Sequence, residues 1–131
     1  MITAGQNVAQ FVTKACGGSA MPDASFAIGY LNSKQHLIGG VLFDHYNGAT
    51  IEIHIAGKPG WLTRKLIYSV FDYAFDRANA NKIIGRVSSA NTKSLKLALR
   101  FGFCHEATIK AGMPDGDLLL VTLAREQCRW L

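Results

Sequence analysis

The sequence predicts a mixed α/β fold, an α+β arrangement in which a central, mainly antiparallel sheet is flanked by helices. Three observations predict it. A meander of three strand-like stretches comes early in the chain, and an alternation of helix, strand, helix and two strands follows it. A strand–helix–strand crossover after an antiparallel meander gives a mixed sheet, and the crossover is right-handed. At 131 residues and 49% hydrophobic, the chain has enough apolar surface for one sizeable core. A single domain over residues 1–131 is expected.

The opening helix rests on Val8, Phe11, Val12 and Ala15 at helical spacing, with Gly17-Gly18 as its stop. "SFAIGYL" and "HLIGGVLFDHY" concentrate β-branched and aromatic residues, and the polar "NSKQ" between them forms the turn of a hairpin. Asn47-Gly48 then signals a second hairpin, leading into a strand where Ile51, Ile53 and Ile55 alternate with Glu52 and His54. One face of that strand is apolar; the other can carry chemistry.

From "GKPGWLTRKLIYSVFDYAFDRANANK" onward the period changes. Leu62, Leu66, Val70, Ala74 and Ala78 recur every four residues, widened by Ile67, Phe71 and Phe75, so a helix beginning near Trp61 is expected. "KIIGRVSS" is a strand, and "NTKSLKLALRFGF" a helix whose leucines should pack the core. "CHEATIKA" and "GDLLLVTLA" are strands turned by "MPDG". In such sheets ligands sit beyond the carboxyl ends of strands whose connections diverge. Here that is the end of Ile51 to Ala56, beside the end of Lys82 to Ser89.

No apolar run approaches the roughly 18 residues of a membrane span, and no basic start precedes an apolar leader, so a soluble, cytoplasmic protein is expected. Cys16, Cys104 and Cys128 are an odd number without CxxC spacing, which argues for reduced thiols. His36, His45 and His105 lack ligand spacing with one another, and no metal is assigned. The net charge of +5 favours anionic partners; the basic residues are scattered along the chain, so nucleic acid is open but not favoured. Terminal "CRWL" is expected to pack Trp130 and Leu131 against the core or a second subunit, which leaves a homodimer open.

From about Ser25 to Leu131 the sequence resembles the GNAT superfamily of acyl-CoA N-acyltransferases. The resemblance is to small phage- or prophage-type members and to the branch with ribosomal-protein and polyamine acetyltransferases. It is carried by "FDYAFDRANANKIIGRVSSANTKSLKLALRFGFCHEA", by "DGDLLLVTL" and by "CRWL". Within these, a helix ending in Tyr-x-Phe, a strand, Asn-x-x-Ser and Gly-Phe-x-x-Glu follow in the order of that branch.

The resemblance implies an N-acetyltransferase that passes an acetyl group from acetyl-CoA to a primary amine by direct attack in a ternary complex. It implies a V-shaped splay between the central strands, and backbone near Ile53 to Ile55 that polarises the thioester carbonyl. A lysine-like amine has a pKa of about 10.4, so a base is useful. Glu52 and His54 are the candidates, with a tilt toward Glu52. Strand alternation alone would equally give two solvated polar residues.

For the CoA pyrophosphate the candidates are Lys58, Gly60, Trp61, Leu62, Thr63 and Arg64, at the amino end of a helix where free N–H groups favour anions. Without the resemblance, Pro59-Gly60 reads as a plain lead-in turn. The resemblance implies that Asn91 holds the pantetheine arm and that Ser94, or a water in its place, protonates the departing thiolate, although Asn91 also suits a helix N-cap.

The chain departs from the family pattern in three places. "AGKPGWLTR" replaces the usual phosphate loop, Ala98 stands where many relatives carry the proton-donating tyrosine, and Ala107 replaces a glycine. These departures keep a second expectation alive, a catalytically inactive GNAT-like module that binds nucleic acid or a protein partner. The acceptor amine, small molecule or protein, is left open by the sequence.

Overall fold

The computed structural model describes residues 1–16 and 26–131; the helix stop expected at Gly17-Gly18 lies outside them. The elements run β1 (Ile2–Ala4), α1 (Gln6–Ala15), β2 (Phe26–Leu31), β3 (Leu37–Asp44), β4 (Thr50–Gly57), α2 (Arg64–Phe71), β5 (Lys82–Ser88), α3 (Thr92–Phe101), β6 (Cys104–Met113) and β7 (Gly116–Ala124). A 3-10 turn, Arg125–Gln127, follows.

The strands form a seven-stranded sheet in the order β1-β2-β3-β4-β5-β7-β6. Its pairs are antiparallel except β4 with β5, the two strands joined through α2. The mixed sheet expected from the meander and crossover is therefore present. β1 has no signature in the sequence, because three residues are too few to show an alternation; it pairs antiparallel with β2 at Ile2–Tyr30 through Ala4–Ile28.

Two apolar layers cover the sheet. On one face Val8, Ala9 and Val12 of α1 bury against Ala27 and Leu42. On the other, α2 and α3 pack over Ile28, Val41, Phe43, Ile51, Ile53 and Ile83. The alternation in β4 decides what each layer receives: the isoleucines go to the α2–α3 side, and Glu52 and His54 to the α1 side.

α2 starts three residues later than the apolar period suggests. Thr63 caps it, its Oγ1 accepting the Leu66 N–H at 3.2 Å. A side-chain oxygen at that position satisfies an amide that has no helical partner. After Phe71 the helix widens into a π-helical segment, Asp72–Arg77, with an Ala78 N–H to Tyr73 C=O bond at 2.8 Å. The sequence contains the reason: a strict four-residue repeat overruns a turn of 3.6 residues, and a wider turn keeps Ala74 and Phe75 in the core. Both are fully buried.

The leucines of α3 pack less than their number suggests. Leu95 and Leu97 are partly buried, Leu99 is 52% exposed, and Phe101 is the helix residue that reaches the core. Gly102 ends α3 in the left-handed conformation, φ 103°, and Phe103 behind it is buried. The Gly-Phe pair is thus a helix stop with its hydrophobic anchor. At the carboxyl terminus Trp130 packs edge-on against Phe101 and Tyr68, as expected, whereas Leu131 is 50% exposed. Leu131 follows the last turn and does not join the core.

Trp61 fixes the far end of β3 and β4. It is 7% exposed and lies where a side chain on Gly39 or Gly57 would have to stand. Gly57→Ala should therefore cost about 1–3 kcal/mol by overpacking, read as a lower urea midpoint at unchanged slope. A midpoint equal to that of the wild type would mean that the indole does not need the space.

Glu106, last residue of Gly-Phe-x-x-Glu, accepts from Lys82 Nζ and Thr122 Oγ1, each at 2.8 Å, at an irregularity in the β6–β7 pairing. The Lys82 hydrogen bond, then that of Thr122, holds its carboxyl below the ordinary value of 4.5. A lowered folded-state pKa stabilises above the ordinary value, and the contribution is lost as pH falls through the lower one. Wild-type stability should fall between neutral pH and pH 3 more than that of Glu106→Gln, measured by urea unfolding at both pH values. Equal losses would show that these contacts do not matter in solution.

Candidate functional site

β4 and β5 stay paired from Thr50–Lys82 to Ile53–Gly85 and then part. Beyond that point β4 remains paired with β3 as far as Gly57, and β5 with β7 as far as Ser88. The gap between them is the V-shaped splay expected at the strand ends.

On the α2–α3 face a cleft of about 460 Å³ lies beyond the end of β4. Gly57, Lys58, Pro59, Gly60, Trp61 and Leu62 form one wall. The other is α3, which contributes Lys93, Lys96, Leu97 and Arg100. Of the loop residues anticipated for a phosphate, Lys58, Gly60, Trp61 and Leu62 line the cleft, and Thr63 and Arg64 do not. Thr63 is occupied as the α2 cap.

Lys93, Lys96 and Arg100 are not among the candidates the sequence suggests. Their i, i+3, i+7 spacing, one face of a helix, was the available signal. Basic residues scattered along the chain are gathered here into one cationic lining, with Leu62, Leu97 and Trp61 as its apolar part.

Asn91 and Ser94 stand at the start of α3. Asn91 Oδ1 accepts the Ser94 N–H at 3.1 Å, so Asn91 is a working N-cap, a feature worth about 1 kcal/mol. The Ser94 side chain is exposed. The loop before them is braced by the β6–β7 turn: Ser88 Oγ donates to Asp115 at 2.6 Å, and Ser89 Oγ accepts the Asp117 N–H at 2.8 Å.

On the opposite, α1 face the β3–β4 hairpin places Glu52 directly across from Asp44, and His54 across from Leu42. Asp44 does not stand out in the sequence, where it reads as the last residue of an apolar strand. Its side chain is fully buried, and its Oδ1 meets His54 Nε2 at 2.8 Å and His45 Nδ1 at 2.9 Å. His45 reaches back from a left-handed backbone position, φ 51°. The Asp44 hydrogen bond, followed by the Asp44 charge, raises the His45 pKa above 6.5.

Glu52 is half-buried. One ligand-capable atom from each of Asp44, His45, Glu52 and His54 lies within 4.8 Å of the others. Cys16, at the end of α1, directs its thiol to the Ile55 carbonyl at 3.8 Å. Burial raises its pKa, which keeps it protonated and a poor nucleophile.

The architecture matches solved structures along nearly its whole length. Mutant forms of the spermidine/spermine N-acetyltransferase SpeG from Vibrio cholerae superpose with a TM-score of 0.75 at 20% identity, over 96% of this chain and 95% of that one. The fold is the GNAT fold. A spermidine N-acetyltransferase from the same organism, in complex with CoA and spermine, gives 0.74 at 18% identity, over 97% and 96%. A dodecameric structure of that enzyme gives 0.70 at 18%, over 96% and 94%. No family model matches the sequence, and no curated protein does. Among the described residues no helix is long and apolar enough to cross a membrane.

Proposed function

We propose that this protein is an acetyl-CoA-dependent N-acetyltransferase acting on a primary amine. The observation that carries the reading is the use of the two faces of β4: a cationic cleft beyond its end on one face, and a carboxylate–imidazole group along it on the other. Cofactor and acceptor could thus approach one reaction centre from opposite sides. Its likeness in fold to an enzyme solved with CoA and spermine supports the same chemistry.

The cleft residues suit a polyphosphate attached to an apolar arm. Lys58, Lys93, Lys96 and Arg100 supply charge, and the left-handed Gly60, φ 89°, lets the loop turn tightly beside α2. Leu62 and Leu97 offer the apolar wall. The α2 amides of Arg64 and Lys65 have no helical acceptor, which adds a favourable dipole for an anion. The parted backbone at Ile53 and Ile55 would run beside the thioester, where an N–H can polarise its carbonyl.

On the acceptor side Glu52 is the base, directly or through a water. It attracts the ammonium form and takes one proton from it, leaving a neutral amine whose lone pair attacks the carbonyl carbon; the nitrogen of the tetrahedral adduct then loses a second proton by the same route. His54 is held by Asp44 and can pass the proton on. The C–S bond then breaks, and Ser94 or a water protonates the sulfur. The half-buried Cys16, whose thiol burial holds above its ordinary pKa, is unsuited to carry a covalent acyl group. The two carboxylates favour a cationic acceptor, while the net charge of +5 opposes long-range attraction of a polycation. Polyamines, amine-bearing metabolites and peptide amines are all suitable members of a screen.

Release of CoA in the presence of such a panel tests the reading. At about a hundred times its dissociation constant, acetyl-CoA should stabilise the fold by roughly 2.7 kcal/mol. No shift at millimolar cofactor, together with salt-sensitive nucleic-acid binding and no transfer, would replace the enzyme with a binding module.

Two variants separate the roles. Glu52→Gln should lower kcat by about a hundredfold or more while the KM for acetyl-CoA changes little; unchanged turnover would remove Glu52 as the base. Lys93→Ala with Lys96→Ala should raise the acetyl-CoA KM about tenfold, roughly 1.4 kcal/mol, with kcat nearly preserved. An unaltered KM would place the phosphates elsewhere.

A further inference from the structure

The geometry points to a binding site for a divalent cation of the Zn2+ class, held by Asp44, His45, Glu52 and His54. Two imidazoles from different parts of the β3–β4 hairpin converge on one oxygen of a fully buried carboxylate, at 2.8 and 2.9 Å. A second carboxylate, Glu52, completes the group within 4.8 Å. Bonds of about 2.0–2.1 Å in a tetrahedral Zn2+ site place the ligand atoms roughly 3.3 Å apart. The present separations bracket that value, so side-chain adjustments of an ångström or so would accommodate the ion.

The donor set selects the metal class. Two ring nitrogens and two carboxylate oxygens suit Zn2+ and its late first-row neighbours, whereas Mg2+ prefers oxygen ligands and retained water. Charge is consistent with this. Asp44 and Glu52 supply two carboxylates, and the cation opposing them nearby, Arg86, is exposed to solvent.

The cluster also has a way in. Asp44 forms the floor, His54 is nearly covered, and His45 is 42% exposed at the rim. On binding, the metal takes the place of the ring protons that now face Asp44, and these pass to solvent.

The ion and the proposed base share Glu52, so an occupied site withdraws that carboxylate from proton transfer. Metal would then inhibit transfer rather than take part in it. This consequence rests on the acetyltransferase reading; the binding itself does not.

Isothermal titration of the full chain with Zn2+ at pH 7.5 tests the site without reference to activity. One saturable site per chain is expected, unaffected by a hundredfold excess of Mg2+. His45→Ala and Glu52→Gln, each confirmed folded by circular dichroism, should weaken it at least about tenfold. Absence of a saturable site, displacement by Mg2+, or wild-type affinity in either variant overturns the proposal.

Discussion

The parting of β4 from β5 after Ile53–Gly85 is the constraint from which the rest of the site follows. Each strand keeps its other neighbour, β3 for β4 and β7 for β5, so the sheet opens without losing either half. Along the gap the backbone no longer pairs strand to strand, and the Ile55 carbonyl accepts the Cys16 thiol in place of a β5 amide, where a continuous sheet would have used these groups internally. The opening lies at the carboxyl ends of the parallel pair. In a mixed sheet that is where connections diverge and room for a ligand exists.

Two kinds of packing hold the opening in place. Trp61 fills the volume above Gly39 and Gly57 and so fixes the loop after β4. On the other side, Ser88 and Ser89 tie the loop before α3 to the β6–β7 turn through Asp115 and Asp117. The amino end of α3, capped by Asn91, is therefore set by contacts from a distant hairpin. Its shallow burial is compatible with this, since the bracing loop fixes a helix whose core anchor is at its other end, Phe101. The exposed face is left to Lys93, Lys96 and Arg100.

The α1 face is organised by a buried charge. A carboxylate withdrawn from water needs donors close by, and Asp44 has two imidazoles within hydrogen-bond distance. That requirement orients His54 and draws His45 out of the hairpin loop. Glu52, opposite Asp44 on the neighbouring strand, shares the face because antiparallel pairs project side chains together. The same four groups are suited to moving a proton and to holding a metal, and which they do depends on what the surrounding solution supplies.

Much of the fold was legible in the sequence because its signals are local. The alternation of Ile51, Ile53 and Ile55 set the strand and its apolar face; the four-residue repeat from Leu62 set a helix. The helix expected over "NTKSLKLALRFGF" was found as well, although its stop at Gly102 was set only by the structure. The late start of α2 at Arg64 was not legible, since the Thr63 cap competes with an apolar period that begins earlier. β1 was too short to show a period at all. The site divides in the same way. Glu52 and His54 could be paired from the sequence because they are two residues apart on one strand. Asp44 and His45 could not, since the register of the β3–β4 hairpin decides what they face. Likewise, Lys58 meets Lys93, Lys96 and Arg100 only through the crossover that carries α3 back over the sheet. The sequence determined which faces are apolar and which residues are chemically able; tertiary structure decided which of them meet, because charge and hydrogen bonding act over a few ångströms of space, irrespective of separation along the chain.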